Sequence, residues 1–314
     1  MFTHKPRFSF IIPALNEEKN IKAAILSINT TMPAGQFEII VSDNGSLDQT
    51  CAIAYQHGAK VIEAPSATIA ELRNLGAKES QGDLLVFIDA DVCLDQRWHR
   101  VLMAELARLP DSGFFITGSV CATPPDSGFI ERNWFNSLST EPKNYINSGH
   151  LITTRKLFER IKGFNEELKT SEDYDFCQRA IKFGAQLVPL PQLGAYHHGF
   201  PKTIEQFFMR EAWHGKQDLK TLTDFLNSKT ALIAFSNFFF LVLAFLLLFL
   251  NVKNIFFYIC LMFSICIPIA STIIKFPKSK RQNILTKFFL MEIYLLGRAT
   301  SLFLPNPRPT RNPF

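Results

Sequence analysis

The chain has 314 residues, 47% of them hydrophobic, and a formal net charge of +5. That length allows one large domain or two modest ones, and so mild a charge gives no argument for a nucleic-acid partner. Six cysteines are scattered without a CxxC pair or a Cys/His ligand spacing, which excludes a zinc site of the usual pattern and reads as reduced packing residues in a cytosolic setting.

The N-terminus runs straight into an expected strand, "FSFIIP" at Phe8–Pro13, and no secretory signal is expected. Ile21, Ala24, Ile25 and Ile28 give helical spacing over Glu17–Ile28. A second strand is expected over Phe37–Asp43, a helix over Asp48–His57, a short strand at "AKVIEA", a helix over Ala67–Ser80, and a fourth strand in "DLLVFIDAD". Apolar strands alternating with helices predict a parallel sheet covered on both faces. Ligands of such sheets bind beyond the carboxyl ends of the strands. Polar residues gather at those ends: Asn16 and Glu17, Asp43 and Asn44, Asp89 and Asp91. Two carboxylates one residue apart at the end of a buried strand are costly to desolvate unless something positive lies between them. A hard divalent cation, Mg²⁺ or Mn²⁺, held by few carboxylates and shared with phosphate oxygens, meets that need.

Residues 111–200 are less regular. Thr203–Leu219, preceded by Lys202, then mixes Ile204, Phe207 and Phe208 with Arg210, His214 and Lys216, the pattern of an amphipathic interfacial helix. Thr230–Leu250 and Ile255–Ile274 are uncharged and long enough to span hydrocarbon. Lys216, Lys220 and Lys229 precede this pair, Lys275, Lys278, Lys280 and Arg281 follow it, and Lys253 alone lies between. The positive-inside rule puts both flanks in the cytoplasm. A third apolar stretch, Ile284–Leu304, carries Lys287, Glu292 and Arg298, and charges in mid-span favour a helix at the interface or packed on the hairpin over the alternative, a third span. The expected plan is a catalytic domain over 1–202, an amphipathic linker over 203–229, two transmembrane helices within 230–274, and a basic loop, helix and tail over 275–314. The expected location is the inner (cytoplasmic) membrane, multi-pass, with the catalytic domain facing the cytoplasm.

Five pieces in order, "IIPALNEEKNI", "IIVSDNGSLDQT", "AELRNLGAKESQGDLLVFIDADV", "NSGHLITTRKLFERIKGFNEEL" and "SEDYDFCQRA", closely resemble the family 2 glycosyltransferases of the GT-A fold. The resemblance covers residues 8 to about 182. It implies an α/β fold, a Rossmann-like nucleotide-sugar-binding domain with a mixed, mainly parallel sheet, followed by membrane helices. In that family the DxD motif, here Asp89 and Asp91, holds a divalent metal together with the donor diphosphate, and some relatives add a His from the region of His198. Asp43 corresponds to the carboxylate that meets the base, commonly uracil, so a UDP-sugar donor is favoured. An ordinary capped turn also accounts for "SDNGS". Glu17 and Arg73 are placed near the nucleotide by the same resemblance, with a surface Arg as the other reading of Arg73.

Asp173 in "SEDYDF" matches the family's catalytic base, with Glu172 and Asp175 as alternates. The same acids suit a helix first turn capped by Thr170 or Ser171, and a base there is expected to have a depressed pKa. Gly149, Glu172, Arg210 and Trp213 are assigned to the acceptor side. "QFFMREAW" departs from the QxxRW motif of processive synthases, since Gln206 lies four residues from Arg210 and Trp213 three beyond it. Processive synthesis is therefore not expected. The resemblance implies a metal-dependent, inverting transferase that moves a sugar from a nucleotide-sugar donor to a hydroxyl of a lipid-linked or cell-envelope glycan, with membrane lipids as partners. An acid in the "ED" position favours a hydroxyl over the alternative acceptor, a polyprenyl phosphate, which needs no base. A non-catalytic sugar-nucleotide-binding subunit is the reading of another class.

Overall fold

A computed structural model describes residues 7–108, 114–138, 145–168, 171–276 and 282–304. The chain forms two compact units: residues 7–124 with 145–199, and residues 125–138 with 200–304.

In the first unit, β1 (Phe8–Ala14) is buried at every residue. It pairs in parallel with β2 (Phe37–Asp43) on one side and β4 (Leu84–Ile88) on the other, and β3 (Lys60–Glu63) extends the parallel run beyond β2. Helices α1 (Ile21–Thr31), α2 (Thr50–Gln56) and α3 (Ile69–Lys78) make the crossovers. Past β4 and the three-residue β5 (Val92–Leu94) come α4 (Trp98–Leu106) and β6 (Phe115–Gly118). The unit is completed by β7 (His150–Thr154), then α6 (Arg155–Arg160) and α7 (Glu172–Lys182), and last β8 (Gln186–Pro189) and β9 (Ala195–His197). The seven-stranded sheet has the order β3-β2-β1-β4-β7-β6-β8, and β7 runs antiparallel to both neighbours. The mixed, mainly parallel sheet expected from the sequence is present.

Alternate residues of the central strands fill opposite faces, as a period of two requires. Phe8, Phe10 and Ile12 join Val86 and Ile88 in one core with Ile21, Ile25 and Ile28 of α1. Ile11, Leu85 and Phe87 face the other core, with Phe164, Phe176 and Cys177. Two helices begin later than the spans expected from Glu17 and Asp48, because side chains compete for the backbone there. Asn16 sits at φ 53°, the Glu17 N–H donates to Thr50 Oγ1 at 2.8 Å, and α1 starts only at Ile21. Asp48 accepts from the Thr50 N–H at 3.0 Å, so α2 starts at Thr50.

In the second unit, a π-helical turn over Glu131–Phe135 runs into α5 (Asn136–Leu138). Then come α8 (Ile204–Asp218), α9 (Leu222–Asn227), α10 (Lys229–Phe249), α11 (Ile255–Lys275) and α12 (Ile284–Thr300). Helices α10 and α11 are the two long apolar helices, and only 17% and 28% of their most apolar windows are buried by protein. So little coverage is unlike a soluble core helix. Helix α12 packs on α10, α11 and α8. Its contact with α8 is close, since a Cβ on Gly297 would come within 2.8 Å of Phe208 O and one on Gly215 within 2.8 Å of Arg298 O. Two of the charges of α12 have polar or charged side-chain partners: Asn237 donates to Glu292 at 3.0 Å, and Arg298 pairs with Glu211 at 3.2 Å and Asp218 at 3.0 Å. Lys278, Lys280 and Arg281 lie outside the described residues.

Candidate active site

The first unit brings the "DAD", "NSGH" and "SED" segments together. Strand β4 ends at Ile88, which pairs with His150 of β7, so the antiparallel register delivers the Asn147–Gly149 loop to Asp89. The Asp89 N–H donates to Gly149 O at 3.3 Å. A Cβ on Gly149 would lie 3.0 Å from both Asp89 Oδ2 and Asn147 Oδ1, so a side chain there would crowd both oxygens. Asp91 is almost fully buried, and its Oδ2 lies 3.4 Å from His197 Nε2. His198 meets Asp91 through the backbone, its N–H donating to Asp91 O at 2.8 Å. Among the described residues no three His, Cys, Asp or Glu side chains converge as a metal cage, so the expected trio of Asp89, Asp91 and His198 is not assembled as one. Two acidic side chains with only oxygen donors, against a glycine that leaves space beside Asp89, still fit a hard cation that takes its remaining ligands from water and phosphate.

Arg73 is not the surface Arg that its helix position allowed; it is 2% exposed. A capping box between Thr68 and Glu71 starts α3, and Arg73 follows two residues later. Its Nη1 donates to Glu172 Oε1 at 2.7 Å and its Nη2 to Asp89 Oδ1 at 3.1 Å. One guanidinium fork therefore joins the DxD aspartate to the acid that opens α7, a geometry that lysine lacks. Its carbon stacks over Phe164 at 5.7 Å.

Ser171 occupies the N-cap position of α7 at φ 64° without a side-chain cap, and Thr170 lies outside the described residues. Glu172 and Asp173 are both buried in the first turn. Asp173 accepts from the Tyr174 N–H at 2.8 Å. Its pKa is raised rather than depressed: burial is the largest cause, the Glu172 charge adds to it, and the hydrogen bonds from Tyr174 and Ser148 and the Arg73 charge only partly offset them. The expected helix-terminus effect is outweighed by desolvation and a like charge. Asp175 pairs instead with Arg179 at 2.7 Å on its own helix.

At the carboxyl end of β2, across β1 from β4, Asp43 is 1% exposed and closes its own turn. Its Oδ2 accepts from the N–H groups of Gly45 at 2.9 Å and Ser46 at 2.7 Å, and Ser46 Oγ donates to its Oδ1 at 2.5 Å. Ser46 Oγ also accepts from the Asn16 N–H at 2.8 Å, and Asn16 Oδ1 from the Leu47 N–H at 2.9 Å, which ties the first two strand ends together. Glu17 is 4% exposed and accepts from Asn20 at 2.9 Å. Arg210 and Trp213 belong to α8 of the second unit, where Arg210 pairs with Glu211 at 2.5 Å and Trp213 is 43% exposed.

Two residues that site reasoning from the sequence missed stand behind these acids. Ser148 Oγ donates to Glu172 at 3.4 Å. His150 is fully buried, accepts from Trp98 Nε1 at 2.7 Å, and meets Ser119 Oγ through Nδ1 at 2.8 Å. Ser119 Oγ donates onward to Leu193 O at 2.5 Å, so His150 Nδ1 carries the proton, and burial pushes its pKa down to about 4. A histidine opening the apolar run "HLITT" is the signal that was available.

A family model described as glycosyl transferase family 2 matches residues 9–177. The glycosyltransferase AglE of Haloferax volcanii is 28% identical over 196 residues, 58% of this chain and 64% of AglE. The poly(ribitol-phosphate) β-N-acetylglucosaminyltransferase TarS of Staphylococcus aureus is 32% identical over 194 residues, 55% of this chain and 32% of TarS. The chain thus spans less than two thirds of AglE and about a third of TarS. Among solved structures, the mannosyltransferase PcManGT from Pyrobaculum calidifontis, in complex with GDP-Man and Mn²⁺, superposes with a TM-score of 0.53 over 96% of this chain and 88% of that one at 16% identity, which shows the fold alone.

Proposed function

The chain belongs to glycosyl transferase family 2, and from that premise we propose that it is a membrane-anchored, inverting, metal-dependent enzyme that transfers a sugar from a nucleotide-sugar donor to a hydroxyl of a lipid-linked or cell-envelope glycan. The observation that carries this reading is the convergence of Asp89, Glu172 and Asp173 around Arg73, at the carboxyl end of β4 and the start of α7. Such strand ends are where α/β sheets bind ligands.

Asp89 and Asp91 would hold a divalent ion, which would supply charge stabilisation for the departing nucleoside diphosphate. The chain's own groups do the rest. Asp173 accepts the proton of the acceptor hydroxyl as its oxygen bonds to the anomeric carbon. The bond from that carbon to the diphosphate oxygen breaks on the opposite face, the electron pair leaves with the diphosphate, and the anomeric configuration inverts. A raised pKa makes Asp173 a stronger base than an ordinary carboxylate. Arg73 holds Asp89 and Glu172 in fixed positions. Asp43, if it meets the base, does so while its turn bonds hold it rigid.

A favoured UDP donor rests on the Asp43 correspondence, and the PcManGT complex with GDP-Man and Mn²⁺ supports a nucleotide sugar and a metal more generally. Anchoring rests on α10 and α11, with the catalytic unit and C-terminus assigned to the cytoplasmic side by the Lys/Arg asymmetry. The test is turnover of a panel of nucleotide sugars by purified full-length protein, with Asp173→Asn beside it. The variant is expected to lose 10²–10⁴-fold in transfer, as loss of a general base does, with donor dissociation constant nearly unchanged. Equal loss of donor binding would make Asp173 a donor-site residue, and no loss of transfer would remove it as the base.

A further inference from the structure

We propose that the second unit carries a binding site for a phosphate group, in the polar cavity lined by Arg132, Asn133, Asn136, Asn283 and Lys287. The cavity measures about 480 Å³ and Gln282 and Ser137 complete its lining. None of these residues belongs to the site described above. Every polar side chain that lines it is a cation, an amide or a hydroxyl, and no carboxylate is among them.

Lys287 decides the sign of the ligand. It is 3% exposed, yet among the described residues no carboxylate pairs with it. Its Nζ donates to Gln282 O at 2.6 Å and lies 5.5 Å from the centre of the Phe276 ring. An ammonium so buried is costly unless an anion completes it, and one carbonyl uses one of its three donors. Arg132 is exposed at the cavity's wall; among the described residues its guanidinium makes one hydrogen bond, from Nε to Gly128 O at 3.4 Å, which leaves the rest of its fork for a ligand. The amides are held ready: Asn133 donates to Phe129 O at 2.8 Å and accepts from Asn283 at 3.1 Å. Asn283 also opens the 17-residue α12 without a side-chain cap, which adds the helix's positive end to two cations already there. Arg132 and Asn133 are displayed by a π-helical turn, a local geometry often kept for function.

Two cations, amides and a helix start match the oxygens of a phosphate. Phe276, which touches Lys287, is the C-cap of α11. The cavity therefore lies at the level where the second long apolar helix ends, where a bilayer presents lipid phosphates. The lipid as source rests on the membrane anchoring proposed above; the phosphate chemistry does not.

The experiment titrates full-length protein in a non-ionic detergent with dihexanoyl phosphatidylglycerol, dihexanoyl phosphatidylcholine, and inorganic phosphate or pyrophosphate, read by thermophoresis. The anionic lipid is expected to bind more tightly than the zwitterionic one. Arg132→Gln, at an exposed position that folding tolerates, is expected to weaken it about tenfold, the worth of one charge-assisted hydrogen bond. Lys287→Met is expected to weaken it at least as much. Binding of inorganic phosphate that is as tight as the lipid's and equally sensitive to Arg132→Gln supports the site and assigns it to a soluble phosphate. Equal binding of both lipids without binding of inorganic phosphate or pyrophosphate, or anion binding untouched by Arg132→Gln, overturns the proposal. The readout needs neither sugar transfer nor a spanning hairpin, so it stands apart from the assigned activity.

Discussion

Removing the Arg73 guanidinium is expected to destabilise the first unit more than any other single change in the site. Arg73→Met keeps the length and the contact with Phe164 but leaves two carboxylates without their partner. The lost bonds are 2.7 Å to Glu172 and 3.1 Å to Asp89, from a side chain only 2% exposed. Breaking a buried pair from one side costs about 3–5 kcal/mol. The Asp89 arm contributes the smaller part, because that side chain is 23% exposed and water takes over some of its charge. The total corresponds to a fall of roughly 6–20 °C in the midpoint of thermal unfolding at ~2–4 °C per kcal/mol. Tryptophan fluorescence of the purified chain in detergent measures it, since Trp98 is fully buried in this unit. Adding Glu172→Gln to Arg73→Met removes one stranded charge and is expected to recover part of the loss. A midpoint for Arg73→Met within about 3 °C of wild type, or a double variant no more stable than the single, would refute the bridge as a stabilising element.

Three further outcomes are expected. Asp91→Asn keeps the volume and removes the charge, so Mn²⁺ binding by calorimetry and metal-stimulated transfer should both be lost; full activity of this variant in EDTA refutes the metal reading. Impermeant thiol labelling from outside should reach a cysteine placed at Asn254, between α10 and α11, and miss one at Asp126, and the reverse pattern refutes the topology. Because burial and Glu172 raise the Asp173 pKa, transfer should fall with decreasing pH earlier than for an ordinary carboxylate of ~3.9. Glu172→Gln removes the like charge, so the acid limb of the kcat/KM profile should move to lower pH, and a limb that stays or moves up counts against Asp173 as the titrating base.

The parallel half of the sheet was legible because β1, β2 and β4 are continuous apolar runs, each ending in its polar pair. The ends of those strands, hence Asp43, Asp89 and Asp91, followed directly. The helix starts were less legible, because spacing reports which face is buried but not which backbone groups Thr50, Asp48 and Ser46 capture. Strand β7 lies in a stretch whose motif stands out more than its strand pattern, and its antiparallel place beside β4 depends on a pairing between residues 88 and 150 that no local pattern encodes. The same holds for Arg73. On its helix it fits a surface or a site, and only the 99-residue separation closed by its bond to Glu172 decides. The Asp173 pKa departs from the helix-terminus expectation for a related reason: the helix terminus is visible in "SEDYDF", whereas the burial that outweighs it is a property of the tertiary fold.

Two adjacent acids in the first turn of α7 thus have different roles. Glu172 spends its charge on Arg73, and through Arg73 on Asp89, so it serves the geometry of the donor end. Asp173, next to it, has no ion pair of its own among the described residues and is held by backbone N–H groups. The fixed charge of Glu172 then acts on Asp173 as a close like charge, which raises its basicity. An enzyme that needs a base at neutral pH gains from that arrangement. Replacing Glu172 by a neutral residue therefore perturbs two things at once, the bridge to Asp89 and the strength of the base. Those two effects separate in measurement, because the first appears in unfolding and the second in the acid limb of the rate.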